Sequence, residues 1–187
     1  MRNKIYRLMM VISIIISPIL FSCATTQEEQ VECKDANHCH QLGLTCIQKG
    51  DFNQAILYLN KAIELDPTDP VLYSNRGAAF ATKGRNDQAI SDWTKALEIN
   101  PKYRSAYYNR GRTFCVMKQY DKAISDLDKV LETDRTHARA YYERGIAHYE
   151  KSQYDLALSD FNKAQELGIR VNPYILNKLR KASGREK

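Results

Sequence analysis

The stretch "AYYNRGRTF" (residues 106–114) returns 34 residues later as "AYYERGIAH" (140–148), and "LYSNRGAAF" (72–80) precedes it by the same interval. Extending the comparison places Gly43, Gly77, Gly111 and Gly145 at the eighth position of four consecutive units, 36–69, 70–103, 104–137 and 138–171. A 34-residue unit is too short to bury its own apolar face, and stacked copies share one continuous core.

Each unit reads as two helices. Position 20 is Ala55, Ala89, Ala123 and Ala157, and position 27 is Ala62, Ala96, Val130 and Ala164, small residues that let two helices approach closely. Bulky fillers sit at position 24 (Leu59, Trp93, Leu127, Phe161) and position 11 (Cys46, Phe80, Phe114, His148). Within each half, apolar residues recur at spacings of three and four, as in "AILYLNKAIEL" (55–65), the stripe of an amphipathic helix. Pro67 and Pro101, at position 32, end the second helix of the first two units.

These positions, together with Tyr73, Tyr107 and Tyr141 at position 4, resemble the tetratricopeptide repeat, and the likeness covers residues 36–171. It implies an all-α, right-handed solenoid of four helix-turn-helix repeats. Cys39 departs from the family's aromatic at position 4, and Arg135 and Ile169 replace its proline. A stack needs a cover for its last apolar face. Residues 172–187 supply it as a capping helix and basic tail, with Tyr174, Leu176 and Leu179 as the expected apolar contacts.

Arg76, Arg110 and Arg144 stand at position 7, inside an otherwise apolar pattern, and Asp92, Asp126 and Asp160 stand at position 23 of the same units. In the first unit these positions are Leu42 and Tyr58. The two positions change together, so each arginine is expected to pair with the aspartate of its own unit through two parallel hydrogen bonds. That makes them structural ion pairs and not an anion-binding ladder.

The resemblance also implies that the first helices line a concave groove for a peptide or protein segment. On that basis the groove residues are Asn75, Tyr108, Asn109, Arg112, Arg139, Tyr142 and Tyr149, a set of amphipathic rings with a few fixed donors. Some members of the family clamp a C-terminal carboxylate with lysine at position 5 and asparagine at position 9 of the first repeat. Here those positions are His40 and Leu44, which puts that mode aside.

The N-terminus reads differently. "MRNKIYRLMM" (1–10) carries Arg2, Lys4 and Arg7 with no acid, and the apolar run 8–21 follows, the n-region and h-region of an export signal. At about 1.5 Å per residue the run is shorter than the ~30 Å hydrocarbon core. "LFSC" (20–23) resembles a bacterial lipobox, with Phe21 departing from the usual residue at −2. This implies a signal peptide over 1–22, lipidation of Cys23 and a spacer to residue 35. The expected location is the cell envelope, at the outer membrane facing the periplasm.

Cys33 precedes the first helix and is placed to fold back on Cys39, while Cys39 and Cys46 are separated by about 10.5 Å of helical rise, too far for a disulfide. A Cys33–Cys39 disulfide and four free thiols both remain open. His38, Cys39 and His40 point to different sides of one helix, so no metal site is expected. No nucleophile elbow, phosphate loop or paired-carboxylate signature is present, and neither enzyme activity nor a cofactor is expected. Half of the formal net charge of +6 lies in Arg2, Lys4 and Arg7, which leaves no footprint for nucleic acid. The functional expectation is an envelope-anchored scaffold or adaptor for protein–protein interaction. A structural subunit of an envelope assembly that docks by its convex face, or an accessory regulator of a cell-wall enzyme, is the alternative.

Overall fold

The computed structural model describes residues 32–182 and 184; the expected signal peptide 1–22, the expected lipidation site Cys23 and the expected spacer through residue 31 lie outside them. Nine helices occupy the described residues. The first helices of the four repeats are α1 (Ala36–Lys49), α3 (Pro70–Thr82), α5 (Arg104–Val116) and α7 (Ala138–Glu150). The second helices are α2 (Phe52–Leu65), α4 (Asn86–Ile99), α6 (Tyr120–Thr133) and α8 (Tyr154–Glu166), and α9 (Pro173–Ala182) follows.

Each pair forms an antiparallel hairpin because the eighth position lacks a side chain. A Cβ on Gly77 would lie 3.0 Å from Trp93 Nε1 and 3.2 Å from the Ala89 carbonyl oxygen, and one on Gly145 would lie 3.0 Å from the Phe161 ring. The bulky residue at position 24 therefore packs directly on the first helix's backbone. Leu59, Trp93, Leu127 and Phe161 are all at most 2% exposed, and burying such a side chain contributes roughly 1.5–3 kcal/mol. Trp93 Nε1 donates to the Ser74 carbonyl oxygen at 3.2 Å, so its buried polar atom is satisfied.

The turn inside each hairpin needs a left-handed residue at position 15. Gly50 and Gly84 take it at φ 79° and 73°, and Lys118 and Ser152 take it at φ 58°. Between hairpins, Asp66, Asn100 and Asp134 accept from the backbone N–H two residues on, at 3.0 Å in each case. This side-chain turn, not proline, sets the boundary. Accordingly α6, followed by Arg135, has the same 14 residues as α2 and α4.

Successive first helices approach one another (α1 to α3, α3 to α5, α5 to α7), whereas no two second helices do. The stack is therefore an α-solenoid whose inner, concave face is made by the first helices. Its far end is closed by α9: Val171, Leu176 and Leu179 join Leu158, Phe161 and Ala164 in one buried cluster. Tyr174 corrects the sequence expectation. It is 73% exposed, because Leu176 and Leu179 define the apolar face of α9 and Tyr174 falls off it, and Val171 fills the place.

At the near end, Cys33 and Cys39 form a disulfide with Cα atoms 5.2 Å apart. Cys39 is fully buried against Ala62 and Leu72 at the position where the later repeats carry tyrosine. The bridge ties the chain before α1 to the small apolar cluster between the first two repeats.

A concave candidate binding groove backed by an arginine ladder

Behind the groove, the three arginines of position 7 each hold the aspartate of their own repeat through two parallel hydrogen bonds. Arg76 Nε and Nη2 donate to Asp92 at 2.9 and 2.6 Å, and Arg110 Nε and Nη2 to Asp126 at 2.7 and 2.8 Å. Arg144 does the same to Asp160 at 2.8 and 2.7 Å. Each guanidinium also reaches back to the preceding repeat: Arg76 Nη1 to Asn60 at 2.8 Å, Arg110 Nη1 to Thr94 at 2.9 Å and Arg144 Nη1 to Asp128 at 2.6 Å. The acceptor is always position 25, so the arginines link four repeats in series as well as closing three of them. The bonds to Asp126 outweigh burial and push the Arg110 guanidinium further up, and Asp160, followed by Asp128, does the same for Arg144.

This second contact is legible only with the fold in hand. Asn60, Thr94 and Asp128 share a position but not a chemistry, and the reach to them crosses from one repeat to the next. In the first described repeat positions 7 and 23 are Leu42 and Tyr58, and no such pair forms there.

On the concave face, the residues predicted from the sequence divide. Asn75 on α3 lies with its Nδ2 2.7 Å from His40 Nε2 on α1, bridging two first helices. Tyr142 tilts onto Phe161, ring centroids 5.6 Å apart, and Tyr149 accepts from Lys178 of α9 at 2.7 Å. The last two are therefore engaged by the fold's C-terminal end. Tyr108, Asn109, Arg112 and Arg139 remain at the junction of α5 and α7, with Arg112 and Arg139 exposed.

Tyr108 is half-buried and its ring is tilted against that of His137, centroids 4.8 Å apart, and His137 in turn caps α7 by accepting from Ala140 N at 3.1 Å. Burial, then the nearby Glu143 carboxylate, pushes the Tyr108 hydroxyl's pKa up, while Arg112 and Arg139 pull it down. Sequence reading passed over Glu143. It occupies position 6, in series with Gln41, Asn75 and Asn109, and the break from three amides to an acid is the signal that would have found it. Burial raises its carboxyl above the ordinary range, and Arg112 only partly offsets this. Cys115, one helical turn beyond Arg112, donates to the Glu143 carbonyl oxygen at 3.7 Å, and burial pushes its thiol up to about 12.

The cysteine-histidine cluster of the first helix does not converge. Cys39 is in the disulfide, His40 faces Asn75, and His38 Nδ1 accepts from Lys34 N at 3.2 Å. Among the described residues there is no group of three His, Cys, Asp or Glu side chains arranged for a metal, and no helix is long and apolar enough to cross a membrane. His148 is a core residue, 9% exposed, with Nδ1 2.7 Å from Gln153 Oε1.

Comparison with known proteins gives the same architecture. Models described as TPR repeat or tetratricopeptide repeat match residues 43–84, 70–103, 105–137 and 138–167. Among solved structures, a MamA chain is 32% identical over 71% of this chain and 77% of its own, with a TM-score of 0.68. MamA 41-end from Desulfovibrio magneticus RS-1 is 25% identical over 80% and 86%, with a TM-score of 0.74. The first TPR of Spaghetti (RPAP3), bound to the HSP90 peptide SRMEEVD, is 26% identical over 65% of this chain and 99% of its own, with a TM-score of 0.62. The curated Hsp70-Hsp90 organising protein of Plasmodium falciparum is 42% identical over 52 residues, and the chain spans 21% of its length. With family models over nearly all of residues 43–167 and the same hairpins in the structure, the chain belongs to the tetratricopeptide-repeat family of protein-interaction scaffolds.

Proposed function

We propose that the chain is a non-enzymatic adaptor that holds a peptide or protein segment in its concave groove and is tethered to the bacterial cell envelope through lipidated Cys23. The observation that carries the groove reading is the junction of α5 and α7. There Arg112 and Arg139 are exposed, and Tyr108 and Glu143 are half-buried with no side-chain head-group hydrogen bond among the described residues, so this polar set is left over once those residues have satisfied one another. The RPAP3 relative, solved with an HSP90 peptide, supports the same use of the architecture. The lipobox-like "LFSC" (20–23) and its preceding apolar run support the tether, and the Cys33–Cys39 disulfide suits an oxidising, exported setting. On this reading the module hangs from the outer membrane into the periplasm on a short spacer.

The test is photocrosslinking in intact cells from a probe at Arg112 in the groove, with a control probe at Lys122 on the outer face of α6. A specific protein adduct from the Arg112 probe alone is the expected result. Adducts from the Lys122 probe alone move recognition to the second helices and make the chain a structural subunit. A cleft of about 530 Å³ between α2 and α4, lined by Ile56, Leu57, Phe80 and Arg85, is the observation that favours that second reading. Mass spectrometry of the mature N-terminus tests the tether: an acylated Cys23 supports it, and an intact N-terminus refutes it.

A further inference from the structure

Within the groove, one acidic side chain stands apart from every other half-buried or buried carboxylate near the ladder. Asp92, Asp126, Asp160 and Asp128 are each held by a guanidinium. The Glu143 carboxylate, on the concave side of α7, has neither a hydrogen bond nor an ion pair among the described residues, although Arg112 lies close enough to act on it through space. In the unbound protein it is short of positive charge: burial disfavours its ionised form by more than Arg112 favours it. The Tyr108 phenol, on the facing helix α5, is near enough to feel this charge.

We propose that Glu143 is the specificity site of the groove and takes the lysine or arginine side chain of the bound protein segment. This rests on the groove reading above and deepens it. A partner's cation completes what burial leaves unpaired, and the Tyr108 oxygen supplies a further acceptor for its several N–H groups. The exposed guanidinium groups of Arg112 and Arg139 stand one helical turn from Tyr108 and from Glu143 respectively. They repel a segment that is basic throughout and attract acidic side chains that flank the central cation. The recognised segment therefore carries a basic residue between acidic ones, and charge complementarity at three points sets its register.

The test uses an array of N-acetylated, C-amidated nonapeptides in which the central residue is lysine, arginine, norleucine or glutamate and the flanks are glutamate or serine. The mature chain, bearing the Arg112 photocrosslinking probe in one preparation and its native residue in another, is applied to the array. The expected result is enrichment of lysine- and arginine-centred peptides with acidic flanks. Glu143→Gln loses that enrichment and about tenfold in affinity, and Glu143→Lys transfers it to glutamate-centred peptides. Binding of the basic probe also falls as pH drops through the raised pKa of Glu143, at a higher pH than an ordinary glutamate would give. If Glu143→Gln, melting as the parent does, keeps the same enrichment, the proposal is overturned. If peptides crosslink to the Arg112 probe with no preference for a central cation, the proposal is overturned while the groove reading survives. If no peptide crosslinks to that probe, both fail.

Discussion

Asp126→Ala isolates one rung of the arginine ladder. The substitution removes both acceptors of Arg110, at 2.7 and 2.8 Å, and leaves the guanidinium with its single bond to Thr94. Breaking a buried pair from one side costs about 3–5 kcal/mol. The Arg110 side chain is 18% exposed, so water reaches part of it and the expected loss is about 2–3 kcal/mol. At roughly 2–4 °C per kcal/mol for a chain of this size, the melting temperature falls by about 4–12 °C. The first repeat supplies the control. Its Leu42 and Tyr58 occupy the same two positions, so Arg110→Leu with Asp126→Tyr copies a solution that the chain already uses. Thr94 remains satisfied there through its hydroxyl bond to the Ile90 carbonyl oxygen at 2.8 Å. The double variant should lie within about 1.5 kcal/mol of the parent, because replacing both members of a buried pair avoids stranding a charge. Urea unfolding followed by far-ultraviolet circular dichroism measures both. An Asp126→Ala chain as stable as the parent, or a double variant no better than the single, would refute the argument.

Gly111→Ala places a Cβ 3.1 Å from Leu127 Cγ and 3.3 Å from the Ala123 carbonyl oxygen, and should destabilise by about 1–2 kcal/mol in the same assay. Lys118→Gly and Ser152→Gly relieve a left-handed conformation at φ 58° and should each gain about 0.5 kcal/mol, seen as a later urea midpoint. With its thiol pushed up to about 12 and half-buried, Cys115 should resist iodoacetamide at pH 8 in the native chain and react promptly in urea, as read by peptide mass. Reduction of the Cys33–Cys39 bridge should lower stability by about 2 kcal/mol, and a reduced chain that melts with the oxidised one would contradict this.

Much of this molecule is written as period. Gly43, Gly77, Gly111 and Gly145 fix the hairpins because any side chain there collides with position 24, so the constraint shows at one place per repeat. The pairing of positions 7 and 23 is equally visible, since both change together between the first repeat and the rest. The acceptors at position 25 are not visible in that way: an amide, a hydroxyl and a carboxylate serve one guanidinium geometry, and only the distances unite them. The groove is the least legible part. Tyr142 and Tyr149 have the composition of binding residues, yet the fold's C-terminal end engages them, and Glu143 stands out only when its unpaired state is set beside the paired aspartates.

The acceptors at position 25 are not equivalent along the chain. The joint between the first two repeats rests on a neutral amide, Asn60, the next on a hydroxyl, Thr94, and the last on a carboxylate, Asp128. A repeat protein's stability is close to a sum of such nearest-neighbour terms. Of the three joints only the last is closed by an ion pair, and the two nearer the N-terminus rest on neutral acceptors. The Cys33–Cys39 bridge is the only covalent crosslink among the described residues, and it lies in the first repeat, beside the first of those neutral joints. Amide exchange should accordingly be fastest in α1 and α2 once the bridge is reduced, and nearly even along the stack while it is intact.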